Sequence, residues 1–352
     1  MAINRKRLVF FERWFDPVAE KILGAQDDIE LVRLLYADSE ADNWAELSLA
    51  VGYQISARTE LKEPWFGDAA LLKKCPNILA ISSAGAGYDV IDVDACNDAG
   101  VIVVNQSGTN SEPVAEHAMA LMLGLTKRVG YSHRAMIKGT AGDRLDMTGN
   151  NIKGKTLGIV GIGQIGRLTS KFASIFDMRV LAFDPYLSEQ VIAERGARKV
   201  DFATLLSESD FITVHCPRNA ETVGLFNAEA FSRMKPNAYF INTARGKIHE
   251  EAALLEALRS KKIAGAGIDV FDVEPPPPDH PLLHLDNVMA SPHTAGVTSE
   301  TMHDMSIAAA EQWMGLLRGR VPPRLVNPEI WPTYSDRFEQ IIGFRPDPLE
   351  GM

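Results

Sequence analysis

Cysteine is scarce in this chain. Its three residues, Cys75, Cys96 and Cys216, are scattered along 352 positions and odd in number. That argues against a disulfide framework or a paired-cysteine metal site, and it fits a cytoplasmic protein with no metal. Long apolar runs are missing too. The basic start Arg5-Lys6-Arg7 is followed only by Leu8 to Phe11 before Glu12 and Arg13, too short for the core of a signal peptide. No run approaches membrane-spanning length, so no membrane partner is expected. Basic residues are in the minority: 36 Lys and Arg against 46 Asp and Glu leave a net charge of −10. This argues against nucleic acid as a partner, because phosphate binding needs clustered cations. No repeat or low-complexity tract occurs beyond the prolines at 275–278.

What remains is an ordinary globular composition, 46% hydrophobic and 23% charged, on a chain long enough for two domains. Short apolar runs alternate with helical patterns, which predicts an α/β fold with parallel sheets covered by helices on both faces. In the first half Leu8–Phe11, Ile78–Ile81 and Val101–Val104 read as strands. In the second half there are six candidates: LGIV (157–160), VLAF (180–183), FITV (211–214), YFIN (239–242), AGID (266–269) and VMAS (288–291). Residues 110–129 carry apolar side chains at helical spacing, with Pro113 in the first turn, and predict one long amphipathic helix. A second helix is expected from about Thr298 to Leu317. Two helices flanking a six-strand unit suggest one domain inserted into another. The proline-rich, aromatic tail after Pro322 is expected to pack on a surface, with no role assigned.

The segment KTLGIVGIGQIGR sets Gly161, Gly163 and Gly166 directly after a strand and ahead of a helix. In that context the glycines serve the tight turn, close backbone approach to a pyrophosphate, and close helix–strand packing. Free N–H groups of the helix then face the phosphates. Asp184 ends the next strand, where an acid accepts from an adenosine ribose and repels a 2′-phosphate, favouring NAD over NADP.

Polar residues crowd the carboxyl ends of the later strands, the edge where open α/β sheets bind ligands. FITV runs into His215-Cys216-Pro217, YFIN into Thr243-Ala244-Arg245-Gly246, AGI into Asp269, and VMAS into Pro292-His293. Each has a plain alternative: His215 a hydrogen-bonded core histidine, Arg245 a surface charge, Asp269 a turn cap, Glu274 an exposed loop acid, His293 an idle loop residue. Jointly they suit hydride transfer to a carbonyl. An imidazolium at His293 supplies the proton. Glu274 beside it favours the protonated ring and raises its pKa. Arg245 grips a substrate carboxylate and polarises the carbonyl. The prolines around both segments limit the entropy of holding acid and base together.

These motifs, GIVGIGQIGR, DFITVHCP, NTARGKIHEEAALLEAL, GAGIDVFDVEPPPP and SPHTAG, resemble the D-isomer-specific 2-hydroxyacid dehydrogenases over roughly residues 50–328. The resemblance implies a Rossmann-type NAD-binding domain at 109–301, inserted into a flavodoxin-like substrate domain made of 1–108 and 302–352. It implies Arg245, Glu274 and His293 as the catalytic set, and Gln164 and Ile165 under the pyrophosphate. Cys216 and Thr243 would line the cofactor cleft together with His215, Pro217, Ala244, His293 and Gly296, and Asp269 would approach the nicotinamide. The backbone of Ala86 and Gly87 in SSAGAGYD would hold the substrate carboxylate, and the chain would form a homodimer through the helix at 110–129 and its surroundings.

Ser83 stands where phosphoglycerate dehydrogenases carry an arginine, Ser56 replaces a second one, and nearby Arg58 is out of register. A small, unphosphorylated 2-keto acid is therefore the expected substrate. Phosphoglycerate is the alternative within the family. Formate dehydrogenase is disfavoured by Glu274, and phosphite oxidation stays open. An NAD(H)-sensing corepressor-like binding protein is the non-enzymatic alternative. Lys247 and His249 replace smaller or apolar residues usual at those positions.

Overall fold

A computed structural model describes residues 5–56 and 60–350. Arg58 therefore lies outside the described residues. The chain divides into two compact units, Met1–Asn110 with Thr298–Met352, and Ser111–Val297.

The first unit is built on five parallel strands, β1 (Lys6–Phe11), β2 (Ile29–Leu34), β3 (Gly52–Ile55), β4 (Ala80–Ser83) and β5 (Ile102–Val104), in the order β2-β1-β3-β4-β5. Alternate side chains feed two cores. Leu8 and Phe10 join Trp313, Leu316 and Leu317 on one face, while Val9 and Phe11 join Tyr53, Trp65 and Ile81 on the other. Both faces are covered, as parallel sheets require. β4 begins two residues later than the apolar run at 78 suggested, and β2 and β3 had no counterpart in the sequence reading.

The tail is more than a surface segment. Helix Trp331–Ile342 sinks Trp331, Tyr334, Phe338 and Ile342 into the first of these cores, and Trp331 Nε1 donates to the Asp347 carbonyl at 3.2 Å.

The second unit carries seven parallel strands: β6 (Thr156–Val160), β7 (Arg179–Phe183), β8 (Arg198–Lys199), β9 (Phe211–Val214), β10 (Tyr239–Asn242), β11 (Gly265–Ile268) and β12 (Val288–Ala290). Their order, β12-β11-β10-β9-β6-β7-β8, reverses direction at β6, so the crevice beyond β6 and β9 is the switch point where such sheets bind ligands. β8 is the strand the sequence reading lacks, two polar residues at the sheet edge.

The expected helix over 110–129 is corrected to Ser111–Thr126, followed by a separate helix Val129–Ile137. The Thr126 carbonyl accepts the Asn150 N–H at 2.9 Å instead of continuing the helix, and Arg128 turns left-handed, with φ +54°. The helix expected near Thr298 runs Ser299–Leu317. Thr298 caps it by accepting the Thr301 N–H at 3.1 Å.

Candidate active site

The glycine turn after β6 is shaped by contact. Gly161 has φ +85°, and a Cβ there would meet the Cys216 N at 2.8 Å. A Cβ on Gly166 would lie 2.4 Å from the Gly161 carbonyl oxygen, so helix and turn close on each other only through glycine. Gly163 differs, since a Cβ there meets nothing within 4 Å. It precedes helix Gln164–Ile175, whose first N–H groups receive no side-chain cap. Gln164 is exposed and Ile165 half-buried at that end. Open space at an uncapped helix N-terminus is what a pyrophosphate needs, and the residues fit a dinucleotide.

Asp184, just past β7, braces the same turn. Its Oδ2 accepts the Ile162 N–H at 3.2 Å and its Oδ1 the Tyr186 N–H at 3.1 Å. Cys216 packs on Gly161, and burial pushes its thiol up to about 11, so it stays protonated. Pro217 beside it is exposed. The His215 ring belongs to the fold: Nε2 meets Thr213 Oγ1 at 3.0 Å and Thr169 Oγ1 at 3.3 Å. Some of the residue remains accessible, but its Nδ1 is closed off without a partner, and burial pushes the ring down to about 3.

Asn242, the last residue of β10, shapes the next turn. Its side-chain carbonyl accepts the Ala244 N–H at 2.9 Å, and its amide donates to the Arg245 carbonyl at 2.9 Å and to His249 Nδ1 at 3.0 Å. Thr243 and Ala244 are buried within it, and the Thr243 hydroxyl has no partner there. His249 is a core residue edge-on to Phe240, and burial pushes it down to about 4. Lys247 takes a left-handed φ of +64°, and its N–H donates to Asp272 Oδ1 at 2.8 Å. Gly246 allows the approach, because a Cβ would sit 2.0 Å from the Phe271 carbonyl oxygen. The turn of Arg245 is thereby stitched to the loop of Glu274. That loop is also tied to Glu251, which accepts from Asp272 N at 2.9 Å and meets His280 Nε2 at 3.1 Å.

Glu274 completes the pairing. Its Oε2 lies 2.8 Å from His293 Nδ1, and its Oε1 accepts the Phe271 N–H at 3.0 Å. Burial alone would raise this carboxyl. The hydrogen bond and charge of His293, with Phe271 N–H and Arg245, outweigh it and hold the group below its ordinary value. His293, after β12, has φ +57°. The structure thus brings Arg245, Glu274 and His293 onto one sheet edge.

Asp269 does something the sequence reading missed. Fully buried, it accepts the Ser291 hydroxyl at 2.6 Å, Thr294 N–H at 2.8 Å and Ala295 N–H at 3.0 Å. Its own carbonyl takes His293 N–H at 2.7 Å. It clamps the loop that carries His293 and ends at half-buried Gly296. The clamp follows from the register: Ile268 pairs with Ala290, so Asp269 and Ser291 follow side by side.

In the first unit, Ser83 and Asn105 fix the loop of Ala86 and Gly87. Ser83 Oγ donates to the Gly87 carbonyl, and Asn105 Nδ2 to the Ala86 carbonyl at 2.8 Å. Ser56 lies at the end of β3 and helps line a water-sized cavity of about 10 Å³ with Phe10, Trp14 and Met305. Among the described residues no cluster suited to a metal ion occurs, and no helix is long and apolar enough to cross a membrane.

Comparison with known proteins identifies the family. Residues 119–295, half of the chain, match the family model described as D-isomer specific 2-hydroxyacid dehydrogenase, NAD binding domain. The chain is 40% identical to a D-3-phosphoglycerate dehydrogenase of Archaeoglobus fulgidus over 76% of its own length, but spans only half of that protein. It is 39% identical to a glyoxylate reductase of Korarchaeum cryptofilum, covering 75% of this chain and 80% of that one. A D-lactate dehydrogenase from Aquifex aeolicus, solved with NAD and lactic acid, superposes with a TM-score of 0.77 at 28% identity, covering 89% and 96% of the two chains.

Proposed function

Because the chain belongs to the D-isomer specific 2-hydroxyacid dehydrogenase family, we propose that it interconverts a small, unphosphorylated 2-keto acid and its D-2-hydroxy acid with NAD. When bound, the reduced cofactor supplies the electron pair to the carbonyl carbon. His293 gives the proton to the carbonyl oxygen as that oxygen becomes a hydroxyl, and takes it back in the oxidative direction. With Nδ1 engaged by Glu274, Nε2 is the nitrogen that carries the mobile proton. Glu274 orients the ring and stabilises its positive form. Arg245 binds the substrate carboxylate and polarises the carbonyl. Gly161, Gly163, Gln164, Ile165 and Gly166 hold the pyrophosphate. Asp184 takes the ribose, and Cys216, Pro217, Thr243, Ala244 and Gly296 line the remaining path, while buried Asp269 is spent on its own loop rather than on the nicotinamide.

The observation that carries this reading is the 2.8 Å pair between His293 Nδ1 and Glu274 Oε2. Ser83 supports the unphosphorylated substrate, since its hydroxyl is spent inside its own loop and offers no positive charge. We place the enzyme in the cytoplasm as a homodimer. Val129, Met136, Ile137 and Leu145, apolar and exposed within 129–147, support pairing there.

The test is NADH oxidation across a panel holding glyoxylate, hydroxypyruvate, pyruvate and 3-phosphohydroxypyruvate. The reading expects the highest kcat/KM on an unphosphorylated member. A preference for the phosphorylated one would reverse the substrate assignment.

A further inference from the structure

His117, on helix Ser111–Thr126, lies outside the set of residues assigned above. Its Nε2 is 2.8 Å from Ser291 Oγ, and the Ser291 hydroxyl donates to Asp269 Oδ1 at 2.6 Å. A serine has one proton to give. With that proton spent on the carboxylate, Ser291 can only accept from the imidazole, so Nε2 of His117 carries a hydrogen. The ring also lies 3.9 Å from Asp269 Oδ1.

At the far end of this chain, one aspartate holds residues 293, 294 and 295 by three backbone N–H groups. His293 sits there at φ +57°, a conformation a side-chain-bearing residue keeps only when its surroundings enforce it. A buried carboxylate free to rotate would release that turn. Ser291 fixes one of its oxygens, and the His117 N–H fixes Ser291.

We infer that His117 is a positioning residue: through Ser291 it sets the orientation of Asp269, and Asp269 holds His293 where it must transfer its proton. The inference rests on the reading of His293 as the proton donor.

The test compares H117L, H117Q, S291A and the double variant H117L/S291A in the full chain, with H293A in parallel. The glutamine amide restores an N–H donor that leucine lacks. H117L and S291A should each lower kcat about tenfold while KM for NADH and the unfolding midpoint stay near wild type, and H117Q should recover most of the loss. Adding H117L to S291A should cost less than about twofold more, because the two act along one path. A kcat within about twofold of wild type for H117L, no recovery in H117Q, or losses that multiply in the double variant would overturn the inference. An inactive H293A beside an unaffected H117L removes the inference alone. A fully active H293A removes both it and the reading beneath it.

Discussion

Glu274 reaches His293 with one carboxylate oxygen, at 2.8 Å, and the Phe271 N–H with the other, at 3.0 Å. The acid is therefore held by its own loop before it meets the imidazole. Glu274→Gln keeps the shape and removes the charge, and kcat should fall at least about tenfold at neutral pH. Glu274→Ala also strands the Phe271 N–H and should fall further. Steady-state kcat of both variants against wild type checks this ordering. Equal activity in Gln and wild type would mean the charge is idle.

Two glycines of the turn should fail in different ways. Gly166→Ala drives a Cβ to 2.4 Å from a backbone oxygen and should destabilise the fold by about 2 kcal/mol or more. Gly163→Ala meets nothing, so stability should hold while NADH affinity drops about tenfold or more, because the methyl enters the space left for phosphate. Thermal unfolding and NADH fluorescence titration separate the two. A Gly163→Ala enzyme that binds NADH as wild type does would deny that space to the pyrophosphate.

The role proposed for Asp184 is to set the choice between cofactors by charge. Asp184→Ser removes the repulsion toward a 2′-phosphate and should raise the NADPH-to-NADH ratio of kcat/KM about tenfold or more. One carboxylate oxygen also braces the glycine turn through Ile162 N–H and the other holds Tyr186 N–H in its own loop, so some loss with NADH accompanies the shift. An unchanged ratio would place discrimination elsewhere.

His215 and His249 make the fold sensitive to acid. Burial depresses the two rings to about 3 and about 4. Unfolding frees them to bind protons near pH 6.5, so the unfolded chain takes up more protons below that value. Stability contributed this way is complete above about pH 6.5 and is lost as pH falls toward 4 and 3. Each buried ring contributes up to about 1.4 kcal/mol per pH unit in that window. His249→Val should flatten the decline measured by urea unfolding between about pH 6 and pH 4.5. An identical slope in the variant would show that the ring is not buried neutral.

Much of this site is legible in the sequence because its residues sit where strands stop. The runs ending at Val160, Val214, Asn242, Asp269 and Ser291 mark β6, β9, β10, β11 and β12, the last two reaching one residue past the strand, and the chemistry begins at or within a few residues of each end. What stays hidden depends on partners remote in the chain. The helix break at Thr126 is made by Asn150, and the clamp of Asp269 needs the β11–β12 register. Arg198–Lys199 has no apolar signal because an edge strand of two residues needs none. In the sequence, His249 stands where a smaller or apolar residue is usual, with no role assigned. In the fold it is an acceptor for Asn242, at 3.0 Å, inside an aromatic cluster.

The most direct measurement is a single turnover of enzyme-bound NADH with a 2-keto acid, comparing wild type with His293→Ala at saturating cofactor. The account predicts unchanged NADH binding and an oxidation rate lowered by about a hundredfold or more, with both recorded on the same preparation. A variant that binds NADH and oxidises it at the wild-type rate would contradict the account at its centre.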